Sequence, residues 1–271
     1  MQSHTWLCFW LGGALCWLVG SVYLAGRDGL PRGRTAVALL ALFLIAFLGM
    51  RLHSHFLEEG LPLEALWEDS PAAFLGRGYR LPGGLLLGLV SAPLVAALMR
   101  LPFRTLADSA APLMPVGLAI GRVGCFIFGC CFGYPSDLPW AISFPADSEV
   151  YWNHVHRGLI AHGASTSLPV HPLPLYMITA ECTIAGVLFW LRRRRLYVGE
   201  VGVAWVVLQS WSMAALEIFR ETELVRPVPL RQAAPVVTGI IAIVALVALR
   251  VRALYAARPD RAHAVVGAPA S

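Results

Sequence analysis

Residues 121–133 read GRVGCFIFGCCFG, and they place one arginine, four glycines and three cysteines inside a strongly apolar part of the chain. The glycines permit a close approach by another helix or by a ligand. A guanidinium is permanently charged, so an apolar environment around Arg122 is costly unless the charge has a partner or a function. This stretch therefore raises the question of what Arg122 binds.

The composition is that of a membrane protein. Of the 271 residues, 58% are hydrophobic and only 14% are charged, and the mean hydropathy is +0.66, whereas about a quarter of the residues in soluble domains are charged. Several apolar runs reach the roughly 20 residues that a helix needs to cross a bilayer. We predict an all-α polytopic protein with about seven transmembrane helices, at residues 5–25, 36–51, 82–101, 111–133, 173–191, 199–219 and 233–252.

These spans are predicted to form a single transmembrane domain, residues 1–255, followed by a short disordered cytoplasmic tail, residues 256–271. The first span lacks a basic n-region and is long, which favours a retained helix over a cleaved signal peptide. The basic residues are all arginine and concentrate in short loops, which indicates membrane orientation. The net charge of +5 is therefore not taken as a sign of a nucleic-acid partner, and none is expected.

The arginines are unevenly divided between the two sides of the membrane. Thirteen of the 21 lie in or beside loops 26–35, 102–110 and 192–198 and the tail, whereas the opposite loops carry most of the acidic residues. Because arginine-rich loops stay in the cytoplasm, the N-terminus is predicted outside and the C-terminus in the cytoplasm. The long loops 52–81 and 134–172 then face outward.

Arg122 lies about 11 residues into the fourth span, which is roughly mid-membrane at about 1.5 Å per residue. Helical spacing predicts that Arg122, Cys125, Phe126, Gly129 and Gly133 share one stripe, with Cys130 at its edge and Cys131 on the opposite side. The arginine fork suits a phosphate, and a lipid headgroup is the phosphate most available there. An ion pair between helices is the alternative partner for the charge.

Other candidate site residues lie near the outer ends of neighbouring spans. They are Arg51 in span two, Gly83 and Gly84 in span three, His171, Tyr176 and Glu181 in span five, and Glu217 and Arg220 in span six. We expect them to converge with Arg122 on one cavity fed from the outer leaflet. Each also has an ordinary alternative: a snorkelling arginine, a satisfied buried acid, a local helix ion pair or an interfacial histidine.

The cysteines admit several roles. Three of them lie in other apolar runs and are predicted packing thiols: Cys8, Cys16 and Cys182. Cys125 and Cys130 are candidate catalytic thiols because the charge of Arg122 favours a thiolate, although a disulfide or simple packing stays open. If a cysteine takes part in the site, substitution of Cys125 or Cys130 should lower activity and substitution of Cys131 should not. No metal site is predicted, because the spacing matches no standard site and Cys131 is expected to point away from Cys125.

Four motifs, in this order along the chain, resemble the prolipoprotein diacylglyceryl transferase family. GRVGCFIFGCCFG matches the family's arginine motif, and DLPWAISFP, HPLPLY and EIFRE match the segments that follow it, within about residues 80–225. The layout of seven spans is also similar to that of the family.

The resemblance implies transfer of a diacylglyceryl group from phosphatidylglycerol to the lipobox cysteine thiol of a prolipoprotein, with release of glycerol phosphate, in the bacterial inner membrane. It implies that Arg122 binds the phosphate and that Glu217 and His171 take part in the chemistry; Cys125 and Cys130 complete our set of candidate catalytic residues. No cofactor and no metal are expected. The candidate substrate-binding residues are Arg51, Gly83, Gly84, Gly129, Gly133, Tyr176 and Arg220.

The chain departs from the family pattern at several polar positions. The family has asparagine at Cys125 and Phe128, glutamate at Cys130, histidine at Pro82 and arginine at Met213. Two other classes are therefore kept open. One is a non-catalytic lipid-binding or assembly protein that retains the cavity, and the other is a redox or metal-handling membrane protein that uses the Gly129–Cys131 segment.

Reporter fusions test the predicted orientation. Alkaline phosphatase, which is active only outside the cytoplasm, should be active when inserted in loop 134–172 and inactive when fused to the C-terminal tail, because the arginine-rich side stays in the cytoplasm. A green fluorescent protein fusion at the tail should fluoresce. Finding both positions in the same compartment would contradict the seven-span topology.

Overall fold

The computed structural model describes residues 2–58, 81–220 and 228–256. These residues form helices joined by loops, and the described part contains no strand. The helices are α1 Gln2–Arg27, α2 Arg32–His53, α3 Leu81–Leu98, α4 Phe103–Ala110, α5 Leu113–Phe128, α6 Glu149–His156, α7 Leu173–Arg194, α8 Glu200–Leu216 and α9 Val228–Ala256, with a π-helical turn Ser54–Glu58 and a 3₁₀ turn Glu217–Phe219. The all-α prediction is confirmed.

Seven helical segments of the described chain are long and apolar enough to cross a membrane. They are Trp6–Arg27, Arg32–Phe56, Leu81–Leu98, Phe103–Phe128, Leu173–Arg194, Glu200–Phe219 and Pro235–Ala256. The predicted number of seven spans is therefore confirmed, and the chain is a multi-pass membrane protein. Most of loop 52–81 and the tail lie outside the described residues, and the side that each terminus faces stays a prediction.

The chain divides into two compact units, and whether it forms a single transmembrane domain stays a prediction. One unit comprises Met1–Trp17 and Ala111–Ser271, and the other comprises Leu18–Ala110.

In the second unit, α2 and α3 pack through glycines. A β-carbon on Gly49 would lie 2.6 Å from the carbonyl oxygen of Gly83, and one on Gly84 would lie 2.7 Å from that of Ala46. Small residues of this kind let apolar helices approach closely in a membrane. Gly83 and Gly84 thus have a packing role in this unit, and Arg51 is fully buried in the same unit.

In the first unit, α1 packs against α5 through the glycines of the arginine motif. A β-carbon on Gly121 would lie 2.8 Å from the ring of Trp10, and one on Gly124 would lie 2.8 Å from the β-carbon of Phe9. The indole of Trp10 therefore lies directly against the segment that carries Arg122.

The helix that carries Arg122 ends at Phe128, not at residue 133 as predicted. Gly129 caps it with a left-handed φ of 71°, and the amide of Cys130 donates to the carbonyl oxygen of Cys125 over 3.1 Å. Cys131 also has a positive φ, 57°. Because the helix ends here, the predicted helical stripe does not extend to residues beyond Gly129.

The segment between α5 and α7 has an apolar core of its own. Its buried residues are Phe132, Phe144, Val150 and Val170. Isolated antiparallel backbone pairs join Val170 to Pro135 and to Ile142. The hydroxyl of Ser148 accepts a hydrogen bond from the amide of Tyr151 and so caps α6. This long loop is therefore an ordered element that can hold side chains in place.

Three segments of the chain meet at Gly133. Its amide donates to the carbonyl oxygen of His171 over 3.1 Å, it pairs with Arg220, and the amide of Tyr134 donates to the carbonyl oxygen of Phe219 over 3.0 Å. A β-carbon on Gly133 would lie 2.5 Å from the Phe219 oxygen and 2.7 Å from the β-carbon of His171. Only glycine at this position permits such close contact with the neighbouring backbone. The contact holds the start of α7 and the end of α8 next to the residues that follow α5.

Replacement of Gly133 by alanine should destabilise the protein, because the added methyl group meets backbone that cannot move freely. We expect the free energy of unfolding to fall by about 1–3 kcal/mol, the usual cost of overpacking. The matched control is Gly186→Ala in α7, where a β-carbon meets nothing within 4 Å. Thermal unfolding of the detergent-purified variants measures the difference, and equal midpoints for both would contradict the close-approach argument.

Candidate functional site

Arg122 is buried in α5, with 9% of its surface exposed. Its Nη1 donates to the Sγ of Cys131 over 3.5 Å, and its guanidinium lies 5.8 Å from the centroid of the Trp10 ring. Its Nε has no hydrogen-bond partner among the described residues. A buried guanidinium that retains an unsatisfied donor is suited to bind an anion, because charged N–H groups form strong bonds to phosphate and carboxylate oxygens.

The prediction that Cys131 faces away from Arg122 and Cys125 is wrong. It assumed a helix as far as residue 133, whereas the chain turns at Gly129 and brings Cys131 back to the arginine. The Sγ atoms of Cys125, Cys130 and Cys131 lie within 4.8 Å of one another. The first two cysteines are buried and the third is partly buried. A cluster of three thiols therefore lies beside Arg122.

Within this thiol cluster, Cys131 is the residue that favours the thiolate. Hydrogen bonds with Cys125 and Cys130, and then the charges of Arg122 and Arg220, hold the pKa of Cys131 well below its usual value of 9.0, against the opposing effect of burial. The hydrogen bonds with the other two thiols, together with burial, raise the pKa of Cys130. The thiol whose pKa is lowered is thus the one on which the charges of both arginines act.

Arg220 supplies the second positive charge of the site. Its Nε donates to Oε2 of Glu217 over 3.0 Å, which is the local ion pair that the sequence allowed. Burial acts to lower the pKa of Arg220, but the neighbouring Cys131 and Glu217 outweigh it and the pKa is raised. Because Cys131 interacts with both guanidinium groups, Arg122 and Arg220 belong to one charged cluster.

His171 and Tyr176 are joined by a hydrogen bond at the start of α7. The Tyr176 hydroxyl lies 3.2 Å from Nδ1 of His171, and Nε1 of Trp140 donates to the same hydroxyl over 2.7 Å. Since the hydroxyl accepts from Trp140, its own proton is available to Nδ1, which favours the tautomer of His171 that carries its proton on Nε2. The ring of Phe219 packs against both, with centroids 5.3 Å from His171 and 5.8 Å from Tyr176.

An open cleft of about 720 Å³ lies beside Tyr176. Its lining residues are mostly apolar: Pro139, Trp140, Ala141, Ile142, Pro172, Leu175, Tyr176 and Thr179. Walls of this composition suit a hydrocarbon chain, and the hydroxyl of Tyr176 connects them to His171.

Glu181 and Gln209 form a buried polar pair between α7 and α8. Nε2 of Gln209 donates to Oε1 of Glu181 over 2.8 Å. The other oxygens of these two side chains have no hydrogen-bond partner among the described residues. The charge of Arg122 acts on the Glu181 carboxyl group. One oxygen of the buried Glu181 carboxyl group therefore accepts a hydrogen bond and the other accepts none from the described residues, and the positive charge of Arg122 acts on the group.

Most of the predicted site residues lie in the first unit and are connected there by contacts. They are Arg122, Cys125, Gly129, Cys130, Gly133, His171, Tyr176, Glu217 and Arg220. Arg51, Gly83 and Gly84 lie in the other unit, so their convergence with Arg122 stays a prediction. The roles assigned to all these residues likewise stay predictions.

Sequence reasoning missed three site residues: Cys131, Trp10 and Trp140. Trp140 is the tryptophan of the DLPW motif, so its place in that motif could have identified it as a site residue. Trp10 had none, because an aromatic residue in an apolar helix is ordinary. Cys131 was excluded by a helical spacing that the chain does not keep.

Seven apolar helices and a buried arginine with an unsatisfied donor define a multi-pass membrane protein with a candidate site for an anionic group. The sequence profile of the prolipoprotein diacylglyceryl transferase family matches residues 4–251, and the chain belongs to this family. The resemblance seen in the four motifs is thereby confirmed.

Named relatives show the same similarity. The chain is 30% identical over 232 residues to the phosphatidylglycerol–prolipoprotein diacylglyceryl transferase of Bordetella bronchiseptica, and the match covers 79% of this chain and 78% of that protein. The protein of the same name from Geobacter sulfurreducens is 31% identical over 209 residues, covering 73% of this chain and 70% of its own length.

The charge of Arg122 should be measurable at Cys131. In the reduced, metal-free protein, the rate of Cys131 alkylation by iodoacetamide should rise with a midpoint below pH 9.0, because the thiolate persists to lower pH when its pKa is lowered. In Arg122→Gln the midpoint should move to higher pH. Mass spectrometry of the labelled residue follows the reaction, and identical midpoints in the two proteins would contradict the contact.

Proposed function

We propose that this protein is an enzyme that transfers a diacylglyceryl group from phosphatidylglycerol to the cysteine thiol of a prolipoprotein in the bacterial inner membrane. Family membership and the two named relatives support this activity. The observation that carries it at the site is Arg122, a buried guanidinium whose Nε is unsatisfied among the described residues. A phospholipid headgroup supplies the anion that this donor requires.

Arg122 and Arg220 bind the phosphate of the donor lipid in this proposal. Both guanidinium groups interact with Cys131, so they lie close enough to act on one small anion. In the transition state, negative charge moves onto the departing glycerol phosphate. Fixed positive charges in a site shielded from water stabilise that charge more strongly than water does.

The transfer is a displacement at carbon. The acceptor thiol loses its proton, and its sulfur attacks the diacylglyceryl methylene carbon that carries the phosphate ester. The carbon–sulfur bond forms as the carbon–oxygen bond breaks, and glycerol phosphate leaves with the electron pair. The products are a thioether on the acceptor and free glycerol phosphate.

Glu217 and His171 take different roles in this step. With Nδ1 accepting from Tyr176, His171 carries its proton on Nε2 in this proposal, and a donor there suits a phosphate or ester oxygen better than it suits proton abstraction. Glu217 accepts from Arg220 and offers a carboxylate for the proton of the acceptor thiol. Tyr176 holds the histidine, and the apolar cleft beside it accommodates an acyl chain.

A covalent intermediate on Cys125 or Cys130 is not part of this mechanism. Attack by either thiol would place the diacylglyceryl group in a thioether, and an unactivated thioether is a poor leaving group for a second displacement. Such a product would end the reaction after one turnover. Cys125 and Cys130 therefore take no covalent step. They lie beside Cys131, which accepts a hydrogen bond from Arg122.

Replacement of Arg122 by glutamine should abolish transfer while the protein still accumulates in the membrane. Removing a charged donor aimed at a developing negative charge lowers turnover by roughly 10²–10³-fold. The assay is transfer of labelled diacylglyceryl from phosphatidylglycerol to a lipobox peptide, normalised to protein level. The control is Arg194→Gln, because Arg194 is an exposed arginine that lies over Trp190 at the end of α7.

Two outcomes would contradict the proposal. Wild-type rates in both Arg122→Gln and Arg122→Ala would remove the phosphate-binding role. No transfer by the wild-type protein, with phospholipid retained in the purified protein, would instead favour the alternative of a non-catalytic lipid-binding or assembly protein.

A further inference from the structure

The thiol cluster of Cys125, Cys130 and Cys131 takes no chemical step in the proposed transfer. Its three sulfur atoms lie within 4.8 Å of one another. Among the described residues, no other group of three histidine, cysteine, aspartate or glutamate side chains brings its ligand atoms so close. The turn at Gly129 sets the backbone positions of these residues, and their three side chains all direct sulfur to one place.

The spacing of the sulfurs is close to that of a metal complex. With a Zn–S bond of about 2.3 Å, ligand sulfurs are separated by about 3.8 Å in a tetrahedral site and by about 4.0 Å in a trigonal one. The sulfurs therefore need to move together by less than about 1 Å, which side-chain rotation can supply. The backbone turn at Gly129 has already brought the donors to the same place.

The surrounding charges also suit such a complex. Three thiolates with a divalent cation carry a net charge of −1, and with a monovalent cation −2. Nη1 of Arg122 donates to the sulfur of Cys131, and the charge of Arg220 acts on the same sulfur. A buried anionic complex needs compensation of this kind, and hydrogen bonds to ligand atoms orient them and adjust their basicity.

We propose that Cys125, Cys130 and Cys131 bind one thiophilic d¹⁰ cation, Zn(II) or Cu(I), through three thiolates. Sulfur-only ligand sets select soft or borderline cations over hard ones such as Mg²⁺ or Ca²⁺. A disulfide would use only two of the three sulfurs and would leave the convergence of the third unexplained. Because the cluster contributes three ligands, a fourth position stays available to an exogenous ligand.

This proposal is independent of the transferase activity, since the ion is measured directly. The full-length protein is purified under reducing conditions, stripped with a chelator, and incubated separately with Zn(II) and with Cu(I). After removal of unbound ion, elemental mass spectrometry gives the content per chain. We expect about one ion per chain after incubation with at least one of the two cations. The cation that stays bound in the presence of a competing chelator is the one that the cluster binds more tightly.

Single substitutions locate the ion. Cys125→Ser, Cys130→Ser and Cys131→Ser should each lower the retained ion by about tenfold or more, since loss of a ligand costs at least as much as loss of its hydrogen-bonding partner. Cys8→Ser and Cys182→Ser are the matched controls, because these cysteines are exposed and lie outside the cluster. Both controls should retain the wild-type content.

A second measurement keeps the test decisive if a serine variant fails to fold. In the wild-type protein, the bound ion should protect all three thiols of the cluster from alkylation by N-ethylmaleimide, and a chelator should restore their reactivity. Retention of less than about a tenth of an ion per chain in both arms would overturn the proposal. So would unchanged ion content in all three folded serine variants, or a disulfide within the cluster that forms in place of ion binding.

Discussion

The burial of one permanent charge constrains the rest of this site. Arg122 lies in a membrane-spanning helix, where an unpaired guanidinium is costly, and its environment supplies three kinds of compensation. The thiolate-favouring Cys131 accepts from Nη1, the face of Trp10 lies beneath the guanidinium, and the field of the arginine reaches Glu181. None of these partners lies on the helical stripe of Arg122, so the chain must bring them in from other segments.

Glycine is the means by which those segments come close enough. Helices in a lipid environment gain little from apolar burial against one another, so association depends on close packing. Gly121 and Gly124 admit Trp10 and Phe9 of α1, and Gly133 admits the backbone of Phe219. The glycines of the arginine motif therefore set the distances at which neighbouring helices and loops approach the charge of Arg122.

Thiols take part in the charge balance of this site. Cys125, Cys130 and Cys131 bring three sulfur atoms together beside Arg122. A carboxylate balances an arginine at almost any pH, but a thiolate does so only while its pKa is held low, which here depends on neighbouring thiols and arginines. The positive charges and the sulfurs are thus mutually dependent, and the ion pair of Glu217 with Arg220 is part of the same arrangement.

The sequence by itself determined the seven spans, because the length of an apolar run is set by bilayer thickness and needs no tertiary information. Motif order determined the family, and i,i+3 spacing determined the Glu217–Arg220 pair. Only the tertiary structure decided that Cys131 faces Arg122, since a helical wheel is valid only while the helix continues. The helix ends at Gly129, and the direction of the chain beyond it depends on hydrogen bonds from Gly133 and Tyr134 to segments more than thirty residues away. Contacts with distant partners such as Trp10 leave no local pattern, which is why sequence reasoning found the arginine and not what surrounds it.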